Sequence, residues 1–250
     1  MIGNISIIIQ ARTGSTRLPN KITKTFFDNS TLLDIIISRL KEVKTPIIVA
    51  TTDKKTDDQV EKIALDNEVN IFRGSENNVL SRFIKTAEKY NIDKIIRICA
   101  DNPLLDVDSL LKLKEEFIIS NVDYWCYSTK DKTPTIRTHY GFWGEGVTLS
   151  ALKKIQSMTN DSLYAEHVTN YIYTYPKTFK IHYEPINSKV EQSILRLTID
   201  TIKDFELVKE IYSELFSRNI KITALNVSEF VSANDEWLKV MQNEINLNRK

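Results

Sequence analysis

The chain opens with Ile5-Ser-Ile-Ile-Ile-Gln10-Ala-Arg-Thr-Gly-Ser15-Thr-Arg-Leu-Pro-Asn20-Lys21, an isoleucine-rich run followed by a turn of small and basic residues. Such an apolar run predicts a buried parallel strand. Gly14 and Ser15 allow the backbone to pass close to a ligand. Three cations surround the turn: Arg12, Arg17 and Lys21. Free N–H groups and fixed cations favour polyphosphate binding. A strand with a solvated basic loop fits equally well, because the turn is neither a GxGxxG nor a Walker A motif.

Composition and charge exclude several classes of protein. The 250 residues suffice for one large core, and 34 Lys and Arg against 33 Asp and Glu give a net charge of +1. This balance argues against a dedicated nucleic-acid binder. No apolar run approaches the roughly 18 residues that a bilayer-spanning helix needs, and no secretory signal is evident. We expect a cytoplasmic protein without disulfides, in which Cys99 is a small core residue.

Strand and helix patterns alternate through the first half of the chain. Further strands are predicted at 47–50, 70–72 and 94–99, and helices at 31–43, from 56, at 78–90 and at 107–119. This alternation predicts a Rossmann-like α/β fold, a mostly parallel sheet with helices on both faces. Ligands of such sheets bind beyond the carboxyl ends of the strands. The binding candidates are therefore Ala11, Arg12, Gly14, Ser15, Arg17 and Lys21, then Thr52 and Asp53, then Gly74 and Ser75, and finally Ala100 and Asp101.

The second half of the chain is less regular. Strands are predicted at 122–129, 179–184 and 194–199, with a polar loop at 130–140 and a glycine-rich loop at 141–147. Helices are predicted at 149–157, 161–174, 203–217 and 228–245. We expect one domain over residues 1–250, with an irregular insertion or arm at about 124–190.

Two aspartates follow predicted strands and are candidates for a metal site. Asp101 comes after strand 94–99, and Asp200 ends Arg196-Leu-Thr-Ile-Asp200. Mg²⁺ prefers a few carboxylates, with waters and substrate phosphates in its remaining positions. Each aspartate could instead cap a helix or turn. Asp106-Val-Asp108 has the Asp-x-Asp form of metal-dependent glycosyltransferases, but it opens a helix, where acidic residues are favoured anyway.

Three motifs in this order resemble those of the cytidylyltransferases that activate 2-keto-3-deoxy sugar acids. They are Arg-x-x-Ser-x-Arg-x-Pro-x-Lys at 12–21, Ala-Asp-Asn-Pro at 100–103 and Leu-Thr-Ile-Asp at 197–200. The family includes CMP-KDO and CMP-sialic acid synthetases, and the first motif is most similar to the spore-coat polysaccharide biosynthesis protein F branch. The resemblance implies that Asp101 and Asp200 hold a catalytic Mg²⁺. It also implies catalytic roles for Arg12 and Lys21.

The segment Arg73-Gly-Ser-Glu-Asn-Asn-Val-Leu-Ser-Arg82 resembles the family segment that approaches the base and sugar of the nucleotide. The resemblance implies nucleotide-binding roles for Gly74, Ser75, Asn78 and Arg82. This chain departs from the family where Asn77 and Asn78 replace an acidic pair. Gly74 could also be only a turn residue, Asn78 only a helix cap, and Arg82 a partner in a surface salt bridge.

Tyr164-Ala-Glu-His-Val-Thr169 resembles a further family motif, with Ala165 in place of its arginine. Glu166 and His167 are therefore candidates for acceptor binding, although a lone helical histidine is more often structural. Further candidates for the acceptor pocket are Asn102, Trp143 and Glu145. The sequence shows no Ser-His-Asp pattern and no Cys/His metal-ligand spacing.

The resemblance implies transfer of CMP from CTP to a sialic-acid-like or KDO-like sugar acid, with release of pyrophosphate. It also implies Mg²⁺ as cofactor and a homodimer. One alternative is a nucleotidyltransferase that uses another NTP or a non-sugar acceptor. A second alternative is a non-catalytic nucleotide-binding protein of the same fold.

Overall fold

The structure is a computed structural model that describes residues 4–191 and 194–248. These residues form nine strands and ten α-helices, joined by short loops and 3-10 turns. The strands are β1 (Ile5–Gln10), β2 (Thr25–Phe27), β3 (Ser30–Thr31), β4 (Ile47–Thr52), β5 (Asn70–Gly74), β6 (Lys94–Cys99), β7 (Tyr124–Ser128), β8 (Glu145–Thr148) and β9 (Ile181–Pro185). The helices are α1 (Leu32–Lys41), α2 (Asp58–Asp66), α3 (Val79–Lys89), α4 (Val107–Ile119), α5 (Leu149–Met158), α6 (Ser162–Glu166), α7 (Asn170–Thr174), α8 (Ile202–Ser217), α9 (Ala224–Ser232) and α10 (Asp235–Leu247).

Seven of the strands form one sheet in the order β5-β4-β1-β6-β8-β7-β9. The first four in this order run parallel. β8 is antiparallel to both of its neighbours, and β9 is parallel to β7. β2 and β3 form a small separate hairpin. The predicted α/β fold with a mostly parallel sheet is therefore confirmed.

The core lies on both faces of this sheet. Ile7 and Ile9 belong to one buried cluster, which includes residues of α1, α4 and α8, whereas Ile8 belongs to a second cluster with residues of α3 and α5. Successive side chains of a strand point to opposite faces. The isoleucine run is buried on both sides because helices cover both faces of β1.

The helices of the first half match the predicted ones to within about two residues, and side-chain caps explain where α1, α3 and α4 begin. The Thr31 hydroxyl and Asp34 form a capping box at α1. Asn78 caps α3, and Asp106 caps α4. These side chains accept N–H groups that the first turn of a helix leaves without partners. The alternative that Asn78 is a helix cap is thus confirmed, and Asp106 stands at the start of a helix as expected.

Three predictions for the second half are wrong. The predicted strand 194–199 belongs to no sheet. The predicted helix 161–174 is divided into α6 and α7, since Thr169 between them donates its hydroxyl to the buried Glu145. The predicted helix 228–245 is divided into α9 and α10, because Asn234 caps a new helix by accepting the N–H groups of Glu236 and Trp237.

The region from 124 to 190, expected to be an irregular insertion, contributes three strands to the main sheet. One of them, β8, comes from the segment predicted to be a glycine-rich loop, and it lies between β6 and β7. None of the helices in the described part of the chain combines the length and apolar character that crossing a bilayer requires.

Candidate active site

Two adjoining clefts lie where β1 and β6 end. The first, here called cleft A, has a volume of about 210 Å³ and is lined by the first turn, with Arg12, Arg17 and Lys21. The second, cleft B, has a volume of about 240 Å³ and is lined by residues of the second half, with Trp143 and Asp200 among them. Both clefts are lined by Arg17, Cys99 and Asp101, so that they form one continuous site.

Asp57 fastens the first turn to the end of β4. One of its carboxylate oxygens accepts the N–H of Thr13 at 2.8 Å and the Thr13 hydroxyl at 2.5 Å. The other accepts the N–H of Thr52 at 3.3 Å and also its hydroxyl. Burial by itself raises the pKa of Asp57, but the hydrogen bonds from Thr13 and Thr52 outweigh burial and hold that pKa below its ordinary value. The sequence analysis missed Asp57, whose partner Thr13 lies 44 residues away.

The backbone of the first turn is curled around the carbonyl of Thr13. This oxygen accepts the N–H of Ser15 at 2.8 Å and that of Asn20 at 2.9 Å. Asn20 has φ = 57°, a left-handed conformation that asparagine tolerates. The N–H groups of Gly14, Thr16 and Arg17 donate to no other residue in the described part of the chain. Such a curled turn with free donors is suited to holding an anion.

The three cations of the turn are each ion-paired with a carboxylate. Arg17 Nη2 lies 2.8 Å from Asp200 Oδ1. Lys21 Nζ lies 3.5 Å from Asp101 Oδ2 and donates to the carbonyl of Ile199 at 2.5 Å. Arg12 Nη2 lies 3.4 Å from Glu166 Oε1.

Asp101 and Asp200 are held close together by the backbone. The N–H of Ile199 donates to the carbonyl of Asp101 at 3.0 Å, and both aspartates line cleft B. Two carboxylates beside an open cleft are the hard oxygen donors that Mg²⁺ prefers, with room for waters and phosphates. The donor set therefore fits Mg²⁺.

A second group of potential metal ligands lies outside both clefts. Across residues 4–191 and 194–248, one group of three candidate ligands is close enough to share an ion: Glu116, His182 and Glu184. Lys112 forms ion pairs with both glutamates. This ammonium already neutralises the acidic group, which lines neither cleft.

Asp200 is positioned by a buried ion pair behind it. Arg196 donates Nε and Nη2 to the two carboxylate oxygens of Asp204, each at 2.8 Å. Asp204 in turn accepts the N–H of Asp200 at 3.0 Å. Burial raises the pKa of Asp204, but the hydrogen bonds and charge of Arg196 outweigh burial and lower it. Asp204 was also missed by the sequence analysis, although Thr201-x-x-Asp204 has the form of a capping box.

Gly141 fixes the other side of the 197–200 segment. It has φ = +75°, and a Cβ at this position would lie 3.0 Å from the carbonyl carbon and oxygen of Leu197. The carbonyl of His139 accepts the N–H groups of Leu197 and Thr198. The glycine-rich loop thus approaches the aspartate segment at backbone distance, which only glycine allows here.

The candidates after β4 and β5 surround a loop beside the first turn and line neither cleft. The N–H of Asp53 donates to the carbonyl of Gly74 at 3.0 Å. The Ser75 hydroxyl accepts the N–H of Asn78. Glu76 lies over the first turn, since a Cβ on Gly14 would be 3.1 Å from its Oε1.

Arg82 lies beneath this loop and is fully buried. Its Nη1 donates to the carbonyl of Ser75 at 2.7 Å, whereas its Nε and Nη2 have no acceptor among the described residues. Burial, and then the nearby charge of Arg12, lower the pKa of Arg82 to about 10. The alternative of a surface salt bridge at Arg82 is therefore wrong.

Three of the five acceptor candidates line cleft B: Asn102, Trp143 and His167. Glu145 does not, because its carboxylate is 2% exposed and accepts Arg97 Nη1 at 2.6 Å, the Thr169 hydroxyl at 2.8 Å and the Tyr124 hydroxyl. Glu166 is exposed beside Arg12 and does not line cleft B either. For these two glutamates, the structure does not support a place in the acceptor pocket.

Several residues that line cleft B were missed by the sequence analysis. Arg97 stands within the apolar strand β6, and this buried charge was the signal that could have found it. Cys99 is half-buried and lines both clefts, so the expectation of a core cysteine is wrong; no disulfide joins it to Cys126. Of the other missed residues, Ile136 is apolar and the rest are polar: Thr135, Thr138, Thr169, Tyr173 and Thr198.

The wall of cleft B combines hydroxyl groups with an aromatic side chain. Trp143 Nε1 donates to the Ser109 hydroxyl at 3.3 Å, and its ring packs against Tyr127, Tyr140 and Phe142. A rigid aromatic surface beside many hydroxyl and amide groups is suited to a polyhydroxylated ligand.

The chain is similar to several known proteins over most of its length. A family model described as cytidylyltransferase matches residues 6–229. An uncharacterized protein of Methanocaldococcus jannaschii is 38% identical over 94% of this chain and 93% of its own. The spore coat polysaccharide biosynthesis protein SpsF of Bacillus subtilis is 33% identical over 87% of this chain and 90% of its own.

Two solved structures share the fold. A cytidylyltransferase from Leptospira borgpetersenii is 33% identical, with a TM-score of 0.83, and covers 96% of this chain and 98% of that one. A CMP:2-keto-3-deoxy-manno-octonic acid synthetase complexed with CTP has a TM-score of 0.62, covering 84% of this chain and 99% of that one. At 12% identity, the second structure is evidence for the fold alone.

Proposed function

Because this chain belongs to the cytidylyltransferase family and is thus a nucleotidyltransferase, we propose that it transfers CMP from CTP to a sugar acid and releases pyrophosphate. One observation carries the proposal. The cation-bearing first turn lies directly beside Asp101 and Asp200, through the ion pairs of Lys21 and Arg17. A triphosphate bound by these cations and a metal ion bound by these carboxylates would lie next to each other.

In this proposal the triphosphate occupies cleft A. The free N–H groups of Thr16 and Arg17, which line cleft A, bind its oxygens, and the side chains of Arg12, Arg17 and Lys21 offset its charge. Fixed donors aimed at a site where negative charge increases stabilise the transition state. The leaving pyrophosphate is therefore held by the same turn.

The base and ribose are placed near the loop of Gly74, Ser75 and Asn78, above Arg82. Nε and Nη2 of Arg82 are buried donors that cost free energy while they lack acceptors. A nucleotide that reached them would satisfy them. Asp53 supports this loop by donating its N–H to the carbonyl of Gly74, and the carbonyl of Thr52 accepts Nε of Arg73 just before it.

Asp101 and Asp200 are the residues that would hold Mg²⁺. When bound, the metal ion would offset charge on the phosphates and help to align the reacting groups. Asp204 and Arg196 would keep Asp200 in place for this purpose.

Cleft B is the proposed acceptor site. Its threonine, tyrosine and asparagine side chains suit a ligand rich in hydroxyl groups, and His167 adds a further polar group. An acceptor hydroxyl there would attack the α-phosphorus of CTP and give up its proton to solvent, and the bond from the α-phosphorus to the leaving pyrophosphate would break. The sugar-acid acceptor is supported by the similarity to the spore coat polysaccharide biosynthesis protein SpsF and by the polar lining of cleft B.

A homodimer is part of the same proposal. Large apolar side chains on α5, α6 and the turn after α7 are about half exposed: Met158, Leu163 and Tyr175. Pairing of two copies through these segments would cover exposed apolar surface. Light scattering during size-exclusion chromatography would measure the mass.

The central experiment is pyrophosphate release with Mg²⁺, testing CTP, ATP, GTP and UTP against a panel of 2-keto-3-deoxy sugar acids. Release from CTP with one acid would support the proposal and identify the acceptor. Release with another NTP, or only with a non-sugar acceptor, would favour the first alternative. No release and no CTP binding by calorimetry would contradict the proposal.

Asp101→Asn is the variant that tests the metal site. We expect turnover to fall by about 10²–10³, the usual cost of removing one electrostatic group from an active site. The melting temperature should stay unchanged, because Asp101 is partly exposed. Asp108→Asn is the matched control, since Asp108 lies on the surface in an ion pair with Lys221. Near-normal activity of Asp101→Asn would remove Asp101 from the metal site.

A further inference from the structure

The candidate metal ligands and the candidate phosphate ligands are ion-paired with each other. Arg17 lies 2.8 Å from Asp200, and Lys21 lies 3.5 Å from Asp101. The third cation of the turn, Arg12, is paired with Glu166, which is not a candidate metal ligand. Within one turn, two cations thus neutralise the metal carboxylates and one does not.

The two cations beside Asp200 differ in how firmly they are held. Arg196 is fully buried and bound by both oxygens of Asp204, so it stays in place. The side chain of Arg17 is 46% exposed and donates Nη2 to Asp200. Arg17 is therefore the cation that can move from the carboxylate to a phosphate.

Each ion pair must be exchanged if both ligands are to bind. A metal ion approaching Asp200 is repelled by Arg17 and has to displace it. A triphosphate binds the guanidinium of Arg17 and the ammonium of Lys21, and thereby releases both carboxylates. Binding of either ligand removes a competitor of the other.

We propose, in an inference that rests on the proposed function, that Arg17 and Lys21 act as internal counter-ions of Asp200 and Asp101. They keep the metal affinity low until a nucleoside triphosphate binds both cations and releases the carboxylates. The two ligands are then coupled through ion-pair exchange. Such coupling is reciprocal, so the metal carboxylates must lower triphosphate affinity to a corresponding degree.

The test measures Mn²⁺ binding to the protein alone, by electron paramagnetic resonance of the free ion. In Arg17→Gln we expect Mn²⁺ affinity to rise about tenfold, because a neutral side chain no longer competes for Asp200. Lys21→Gln should raise it as well, through Asp101. Arg12→Gln is the matched control: it removes a cation from the same turn without freeing a metal ligand, and Mn²⁺ affinity should change less than about twofold.

The reciprocal test measures CTP binding by calorimetry in the presence of EDTA. Asp200→Asn should bind CTP several-fold more tightly than the wild type, because Arg17 is released. Thermal melts would check that each variant is folded. These readouts do not depend on turnover.

The inference is overturned if Arg17→Gln and Lys21→Gln leave Mn²⁺ affinity unchanged, or if Arg12→Gln raises it equally, since general charge would then explain the effect. Pyrophosphate release by the wild type separates this result from the proposed function. If the wild type releases pyrophosphate from CTP but the two variants bind Mn²⁺ as the wild type does, only the counter-ion inference is wrong. Without CTP use and without Mn²⁺ binding by any variant, both fall.

Discussion

Asp57 shows how a single buried residue can shape a binding turn that it does not line. Its carboxylate carries four hydrogen bonds, two from Thr13 in the first turn and two from Thr52 at the end of β4. A buried carboxylate is stable only when its oxygens are satisfied. The turn is therefore held in one position before any ligand arrives, which lowers the entropy cost of binding.

We predict that Asp57→Asn weakens both folding and CTP binding. An amide offers one acceptor oxygen where the carboxylate offers two, and its NH₂ group would face donors. Hydrogen bonds to charged groups contribute about 1.5–3 kcal/mol each, so the free energy of unfolding should fall by about 2–3 kcal/mol. CTP affinity should fall about tenfold as the turn loosens. Urea denaturation and calorimetric titration would measure the two effects.

The neighbouring residue offers a matched control for this prediction. Asp58 is exposed and pairs with Arg73 on the surface. Asp58→Asn should cost less than about 1 kcal/mol, because exposed ion pairs contribute little. Equal effects of the two substitutions would show that Asp57 has no special role in the turn.

At the scale of elements, β6 and α4 are joined by a lysine. Lys94 begins β6 and donates its Nζ to the carbonyls of Phe117, Ile118 and Ser120 at 2.6, 3.0 and 2.8 Å, at the end of α4. A cation at the C-terminus of a helix satisfies carbonyls that lack helical partners and complements the helix dipole. α4 is thereby held against the strand that leads to Asp101.

We expect Lys94→Met to lower the free energy of unfolding by about 1–2 kcal/mol, since methionine retains the apolar stem but leaves the carbonyls without their donor. Activity should persist, because Lys94 lies at the opposite end of β6 from Asp101. Lys153→Met is the comparison, as Lys153 forms an ion pair with Glu88 at the surface. Denaturant unfolding of both variants is the measurement, and a loss no greater than that of Lys153→Met would refute the capping role.

At the scale of the whole molecule, two buried aspartates on separate elements connect stability to pH. Asp57 lies under the first turn, and Asp204 lies under the segment that ends at Asp200. The pKa of each is lowered by its hydrogen bonds, against the opposing effect of burial. The unfolded chain therefore binds protons at a higher pH than the folded protein does, and protonation favours unfolding.

We predict that the stabilisation from these two residues is fully present above their ordinary pKa of about 3.9 and is lost as the pH falls below it. The melting temperature should be nearly constant from about pH 5 to 7 and should decrease steeply below about pH 4. Calorimetry across this range would test it. The difference between wild type and Asp57→Asn should shrink in the same acid range; a constant difference down to pH 3 would contradict the assignment.

The amino-acid sequence by itself determined the features that depend on residues close together in the chain. The strand–turn at 5–21, the parallel half of the sheet and the caps Thr31, Asn78 and Asp106 all follow from local patterns. Hydrophobic periodicity and capping act over three or four positions, so one chain segment contains the whole signal. The family motifs around Asp101 and Asp200 belong to the same local class.

The tertiary structure alone decided which polar groups are buried together. Glu145 forms an ion pair with Arg97, Arg82 is covered by the loop at Ser75, and Asp204 forms an ion pair with Arg196. The same packing kept residues 194–199 out of the sheet and divided the predicted helix 161–174 at Thr169. A buried charge requires a partner wherever the fold supplies one, here as far as 48 residues away for Arg97 and Glu145. The packing of distant segments decides which buried groups become partners, and local sequence patterns do not encode that packing.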